Sequence, residues 1–552
     1  MPQTHNNLIS RRHAIAFASA TALGASLQAA TATSQPRSDY PTATYNIRDF
    51  GAKGDGTSLD TAAIQSAIDS ATQTGGTVLV PAGDFVIGTV ELKSNVTLHL
   101  TPKARLLGSP DIKHYHAGNG IPPSNGNIVL LSAANAENVS IEGPGTIDGQ
   151  GAKFYNGRGD NTGPGQNSAQ GYTQRPHLLV FYRCKNLVLR DAFLAASAYH
   201  CCRILECDRV RLTGVRIHNR VNKNNDGFHI NSSRYVNIIN CNVACQDDAC
   251  ALFGSNQFVT VTNCSFSTRW SVFRFGGGHA SDITVSNCVI YETYGCPIKM
   301  RCGARSRFEN ILFSNLVMRD VTGPISIGLA SGPQRNGPDG TPIPRGIVRN
   351  ISFNNIRATV VATGRQHEDL PFPSSFRPGE TRTCITLNAV GDEFLENISL
   401  TDVHATFEGG GTAAEASIRN VPEKAGEYFE LGALPAYGIY ARNVKGLTLS
   451  SVRLETQNPD LRPAVVLDHA QDVTATALAV AGQPNADSTL RLTDSRDVLL
   501  TATKLLTPAA TFLQVEGARS ENITIDGGDI TKAAKPLIFA SNAQEKAVRM
   551  RI

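Results

Sequence analysis

A four-residue pattern recurs thirteen times between Asn138 and Ile525. It begins most often with Asn or Asp and continues apolar, polar, apolar, as in Asn138-Val139-Ser140-Ile141, Tyr235-Val236-Asn237-Ile238 and Asn522-Ile523-Thr524-Ile525. Single steps between successive occurrences run from 23 to 28 residues. Strand-like alternation repeated at that period predicts a β-solenoid, in which each coil buries its apolar face only against its neighbours. Steps of 47, 48 and 49 residues read as two coils, and one of 40 as a single coil with a long loop or two short coils. The L-x-x-L-x-L consensus of leucine-rich repeats is absent, as are the longer period and signatures of a propeller. The expected fold is all-β: a single-stranded right-handed parallel β-helix, with an N-terminal capping helix.

The cap is read at T-A-A-I-Q-S-A-I-D-S-A-T-Q-T, with Asp60 as N-cap, Ile64, Ile68 and Ala71 on one face and Gly75 as the stop. Such a helix covers the otherwise open first coil. Gly- and Pro-rich loops at Gly323 to Arg345, Gly364 to Arg382 and Glu408 to Gly438 are expected to wall one side of a cleft. No linker divides the chain, so one elongated domain is expected from about Tyr45 to Ile552. Cys241, Cys264 and Cys288 each lie five residues after a marker apolar residue, which predicts one column of stacked thiols. The 12 cysteines are expected to be mostly free and buried, with a disulfide or two.

Residues 1–32 read as an export signal of twin-arginine type: Ser10-Arg11-Arg12-His13, an Ala-rich apolar stretch, then Ala30-Thr31-Ala32. That places the mature chain, from near Thr33, in the periplasm or outside the cell. The apolar stretch is too short for a membrane span. A net charge of +4 over 552 residues, with no basic stripe, does not suggest a nucleic-acid binder.

Within this frame, N-N-D-G-F-H-I-N-S-S-R-Y-V-N-I-I-N-C-N-V-A-C-Q-D-D-A-C places Asp226, Asp247 and Asp248 in what otherwise reads as buried strand. Counted back from the coil markers, the three aspartates, Lys299 and Arg301 fall at nearly one phase, with Arg269 and Arg274 near that phase on the coil between. Carboxylates on adjacent coils, about 4.8 Å apart along the axis, repel and raise at least one pKa. Three readings stand: a general acid and base for glycosidic hydrolysis, an oxygen-rich calcium site, or polar residues that only satisfy corners.

Asn224-Asn225-Asp226-Gly227, followed by Gln246-Asp247-Asp248, resembles family 28 of the glycoside hydrolases, the polygalacturonase family. Asp49-Phe50-Gly51-Ala52-Lys53-Gly54-Asp55-Gly56 and Gly143-Pro144-Gly145-Thr146-Ile147-Asp148-Gly149 are similar to it as well. The resemblance covers roughly Tyr45 to Phe407. It implies single-displacement, inverting hydrolysis of α-linked pectic polysaccharide, with Asp247 as general acid and Asp226 and Asp248 activating the water. It implies that Lys299 binds the sugar carboxylate and that no cofactor or metal is needed. Two departures stand out. The family's G-H-G histidine is absent from Ser267-Thr268-Arg269-Trp270-Ser271, the nearest being His279. The arginine of its R-I-K motif is Pro297 here, and Arg301, on the same strand face as Lys299, is the expected substitute. Asn224, His229, Arg269, Arg274, His279, Lys299 and Arg301 are thus the candidate substrate-binding residues. The expected partner is an acidic plant-type glycan, galacturonan or rhamnogalacturonan, met by a monomer without nucleic acid or membrane. A calcium-dependent lyase on the same fold and a non-catalytic glycan-binding β-helix are the alternatives.

Overall fold

The computed structural model describes residues 43–122, 128–154 and 175–551; the segment read as an export signal lies outside them. The described residues form one compact unit. Its strands pair almost entirely in parallel, in two long sheets that wind into a right-handed parallel β-helix.

The thirteen marker residues account for the winding. Val139, Leu187, Val210, Val236, Val259, Ile283 and Ile311 are register partners on successive coils. The column continues through Ile351, Ile398, Leu447, Val473, Val498 and Ile523. Every member is at most 1% exposed. Burying one such side chain is worth about 1.5–3 kcal/mol, and each needs a coil on either side to be buried.

The residue before each marker has a positive φ, from Asn138 (57°) through Asn350 (56°) to Asn522 (51°). The chain turns a corner there in the left-handed region, which Asn and Asp tolerate better than other side chains. The corner amides also pair between coils: Asn186 donates to Asn138, Asn350 to Asn310 and Asn397 to Asn350, at 3.0–3.2 Å. Gly446 takes the same corner at φ 75°, where a Cβ would lie 2.6 Å from Asn397 Oδ1.

The long steps differ from expectation. Val139 pairs directly with Leu187, Ile351 with Ile398, and Ile398 with Leu447. Each is therefore one coil carrying a long insertion, not two coils. The strand period fixes only the stacked part of a coil; loops leave the stack at no cost in register. The first of the three expected loops also contains a strand, Ile325–Leu329, which joins the second sheet.

Helix α1 (Thr61–Thr74) covers the first coil, with Ile64, Ala67, Ile68 and Ala71 fully buried. Asp60 precedes it but makes no side-chain cap. Its carboxylate instead accepts the Lys53 and Gly54 N–H groups at 2.7 and 2.9 Å, fixing the preceding turn. The thiol column is present: Cys241 N–H donates to Cys264 Sγ at 3.3 Å, and Cys264 and Cys288 occupy the same position on successive coils. All 12 cysteines are buried and free.

The second sheet carries the candidate site. Its relevant strands are β1 (Cys202–Leu205), β2 (Phe228–Asn231), β3 (Cys250–Phe253), β4 (Phe273–Gly276) and β5 (Ile298–Cys302). No helix among the described residues is long and apolar enough to cross a membrane.

Candidate active site

The three aspartates sit in the turns that lead into β2 and β3, not within strands. Asn225 shapes the first turn. Its fully buried amide accepts the Val221 and Asn222 N–H groups and donates to the Ser197 and Tyr199 carbonyls, all at 2.7–3.0 Å. Gly227 follows because the next coil is too close for a side chain: a Cβ there would meet Ala249 O at 2.4 Å. Its N–H donates to Asp248 O at 2.9 Å. Asp226 and Asp248 are thereby stacked on adjacent coils, each two residues before its strand, with Asp247 beside them.

Asp248 accepts a hydrogen bond from the Ser271 hydroxyl, on the next coil in the same column. Asp247 accepts its neighbour's N–H (Asp248) through Oδ1 at 2.9 Å and the Asn224 amide through Oδ2 at 3.3 Å. Asp226 Oδ2 lies 2.8 Å from His229 Nδ1 and 3.8 Å from His200 Nε2. Burial, reinforced by Asp248, holds the Asp226 carboxyl well above the usual range. Burial likewise pushes His229 down to about 3, with Arg203 adding to the shift. These environments favour the protonated form of Asp226.

Behind Asp226 and His229 lies a buried layer in which Arg175, His177 and Arg203 belong to no sequence motif. His200 stacks on His229 with ring centroids 4.7 Å apart, and His229 on Phe253 at 5.2 Å. Arg203 donates toward His177 Nε2 at 3.3 Å, and Arg175 lies over the Tyr199 ring at 4.4 Å. Asp226, His200 and His229 offer ligand atoms within 4.8 Å of one another, a spacing that suits a metal ion. Arg175 and Arg203, however, place positive charge on that same group. The electrostatics therefore suit a carboxylate or a sugar rather than a cation.

The cations fall into two groups. Arg274 and Lys299 are register partners, and the same row runs back through Ala251 to His229. Lys299 thus shares the phase of His229, three residues beyond the aspartates. Counting back from Ile311 misplaces it because the coil is lengthened by the turn at 303–306. Lys299, Arg274 and Arg301 all converge on Glu427, from the insertion after Phe407, at 3.0, 2.9 and 2.7 Å. Lys299 Nζ also lies 4.0 Å from the centre of the Trp270 ring. Arg269 belongs elsewhere: it is fully buried, 3.0 Å from Glu380, and packed on the Phe376 ring at 4.2 Å. His279 is not brought to the aspartates. It begins a strand of the first sheet beyond the far end of β4, with Nε2 3.1 Å from Glu309.

The insertion carrying Glu380 also holds His367, whose ring packs on Tyr294 and whose Nε2 meets the Glu292 carbonyl at 2.8 Å. Burial first, and Arg220 second, push His367 down to about 4. The folded state keeps it neutral, while the unfolded chain takes up a proton below its ordinary value of 6.5. Its contribution is present above pH 6.5 and lost as pH falls toward 4, at up to about 1.4 kcal/mol per pH unit. His367→Asn is expected to lose less stability than the parent between pH 7 and 4.5, read from urea midpoints. Parallel losses in both proteins would refute this.

The family profile "Glycosyl hydrolases family 28" matches residues 71–368, which hold every one of the aspartates, Arg274, Lys299 and Arg301. The exo-poly-alpha-D-galacturonosidase of Dickeya chrysanthemi is 32% identical over 247 residues, covering 37% of this chain and 41% of that protein. A polygalacturonase of Persea americana is 25% identical over 332 residues, covering 58% of this chain and 68% of that protein. Among solved structures, the family 28 exopolygalacturonase of Yersinia enterocolitica superposes with a TM-score of 0.59 at 20% identity, covering 79% of this chain and 78% of that one. This chain spans less than half the length of its Dickeya relative, but the profile covers more than half of the chain itself. With its coils, its N-x-D-G turn and its paired aspartates in register, the chain belongs to family 28 of the glycosyl hydrolases.

Proposed function

We propose that the chain is an exported, inverting glycoside hydrolase of pectic polysaccharide, with its catalytic region within residues 45–407. The observation that carries this reading is the stacking of Asp226 and Asp248 on adjacent coils with Asp247 beside them. Burial first, and Asp248 second, raise the Asp226 carboxyl, so Asp226 activates water only at a pH where it has released its proton. Three carboxyls brought together on adjacent coils supply what single displacement needs: one group to protonate the leaving oxygen, others to activate water. By resemblance Asp247 is the acid, and Asp226 and Asp248 hold the water. The names of the Dickeya and Persea relatives support a galacturonate-containing substrate. The cations around Asp226 weigh against the calcium-dependent lyase.

The test is a product assay on homogalacturonan and rhamnogalacturonan, following reducing ends and ultraviolet absorbance together, with and without chelator. New reducing ends without absorbance, insensitive to chelator, are expected. Absorbance that vanishes with chelator would make the protein a lyase. No product from either polymer would leave a glycan-binding solenoid.

A further inference from the structure

Arg274 and Lys299 stand directly opposite each other on neighbouring parallel strands, about 4.8 Å apart by strand spacing. Arg301 is two residues from Lys299 on the same strand face. Like charges placed so are destabilising unless an anion lies between them. The chain supplies that anion itself. Glu427 Oε1 takes Arg274 and Arg301, and Oε2 faces Lys299. Although burial opposes it, Lys299, Arg274 and Arg301 hold the Glu427 carboxyl well below the usual range. Lys299 is 1% exposed and Arg274 7%; only Arg301, at 40%, is open.

The loop end that delivers Glu427 is fixed. Tyr428 and Phe429 are buried, with Trp270 packed against them, and Arg377 lies 4.1 Å from the Phe429 ring centre. A uronate arriving from solution must therefore compete with a carboxylate tethered in place, which acts at an effective concentration in the millimolar range or above. Next to this cluster is a cavity of about 440 Å³. Phe253, Gly276, Gly277 and Gly426 line it, together with Arg274, which Glu427 neutralises, and the open Arg301. Phe253 is the ring on which His229 stacks, and His229 is hydrogen-bonded to Asp226, so the cavity lies at the far ends of β3–β5, separated from the carboxylates by these two rings. An aromatic ring and bare glycine backbone suit the apolar face of an uncharged sugar.

We propose that Glu427 occupies the place of a substrate carboxylate and so selects a neutral sugar at the subsite formed by this cluster and its cavity. The preferred polymer is then one in which uronic acid and neutral sugar alternate, as in rhamnogalacturonan. This rests on the reading of the chain as a pectic hydrolase and names the substrate class for it. Glu427 is a specificity-determining residue, not a catalytic one.

The experiment compares kcat/KM on homogalacturonan and rhamnogalacturonan for the parent, Glu427→Gln and Glu427→Ala. The parent should prefer the alternating polymer at least tenfold. Either variant should raise kcat/KM on homogalacturonan tenfold or more, through KM, and make it fall with added salt. Calorimetric titration with a galacturonate trisaccharide, in the Asp247→Asn background, gives the same comparison without turnover: tight binding only when Glu427 is replaced. Unchanged trisaccharide affinity in Glu427→Gln, or a parent that cuts homogalacturonan as well as the alternating polymer, would overturn the proposal. If the parent cuts neither polymer, the hydrolase reading fails on its own, and the trisaccharide titration still decides the role of Glu427.

Discussion

Replacing Asp247 with Asn lowers kcat on the pectic substrate by about 10²–10⁴-fold and leaves KM within a few-fold. The amide has the shape of the acid but no proton to give at neutral pH. The fold around it survives the change. The amide oxygen still accepts the Asp248 N–H, now held at 2.9 Å, and the one contact given up is that from the Asn224 amide, whose oxygen stays with Arg175. The turn itself is fixed by main-chain contacts: Asp247 N–H to Asn225 O at 3.2 Å, and Asp247 O accepting from Thr268 Oγ1. The melting temperature should therefore stay within a few degrees. Asp226→Asn is the informative companion. Asp226 is the carboxyl that burial and Asp248 push up in the free protein. If it were the proton donor, Asp226→Asn would be the dead variant and Asp247→Asn would keep most of its turnover. If Asp247 is the donor, both lose rate, but only Asp226→Asn moves the acidic limb of the pH profile. That variant removes the partner of His229 and the repulsion on Asp248. Full turnover in Asp247→Asn would take the role of general acid away from Asp247.

The coil column and the carboxylate set were legible in the sequence because both are local. A marker residue such as Val236 is recognisable from its own neighbours: an αL corner before it and alternation after it. The same holds for Asn225 and Gly227, which carry their structural reasons within one turn. The number of coils was misread between Val139 and Leu187 because an insertion and an extra coil have equal length in a sequence. Lys299 was placed three residues out of phase because its coil is longer than its neighbours. The partners of the cations were not legible at all. Glu427 lies 128 residues from Lys299 in sequence and Glu380 lies 111 from Arg269. No period or motif links them; only the folding of the insertions back over the sheet does so. His279 looked like a replacement for the missing histidine by proximity in sequence. A strand carries it to the other sheet, where Glu309 engages it.

Arg269→Met should open the insertion between Val361 and Cys384 without abolishing the solenoid. Arg269 lies near the aspartates in sequence, and a substrate-binding role would show as a higher KM at unchanged stability. The geometry argues for a structural one. The guanidinium is fully buried, 3.0 Å from a Glu380 carboxylate that is itself 1% exposed, and donates to the Ser375 carbonyl. Burial pushes the Glu380 carboxyl up, with Arg269 pulling against it. Methionine fills much of the volume but strands that carboxyl in an apolar site, a loss of about 3–5 kcal/mol for a buried pair broken on one side. Global unfolding of so long a stack is not the cheapest response. The insertion can lift away locally and hydrate Glu380, so the loss appears as local opening. At about 1.4 kcal/mol per decade, proteolytic nicking within 364–382 should accelerate by about 10²–10⁴-fold, and more mildly if opening is already frequent in the parent. The double variant Arg269→Met, Glu380→Gln removes both charges and should recover most of the protection, since an uncharged amide costs far less to bury than a lone carboxylate. Nicking that stays at the parental rate in Arg269→Met, together with a raised KM, would return Arg269 to the substrate.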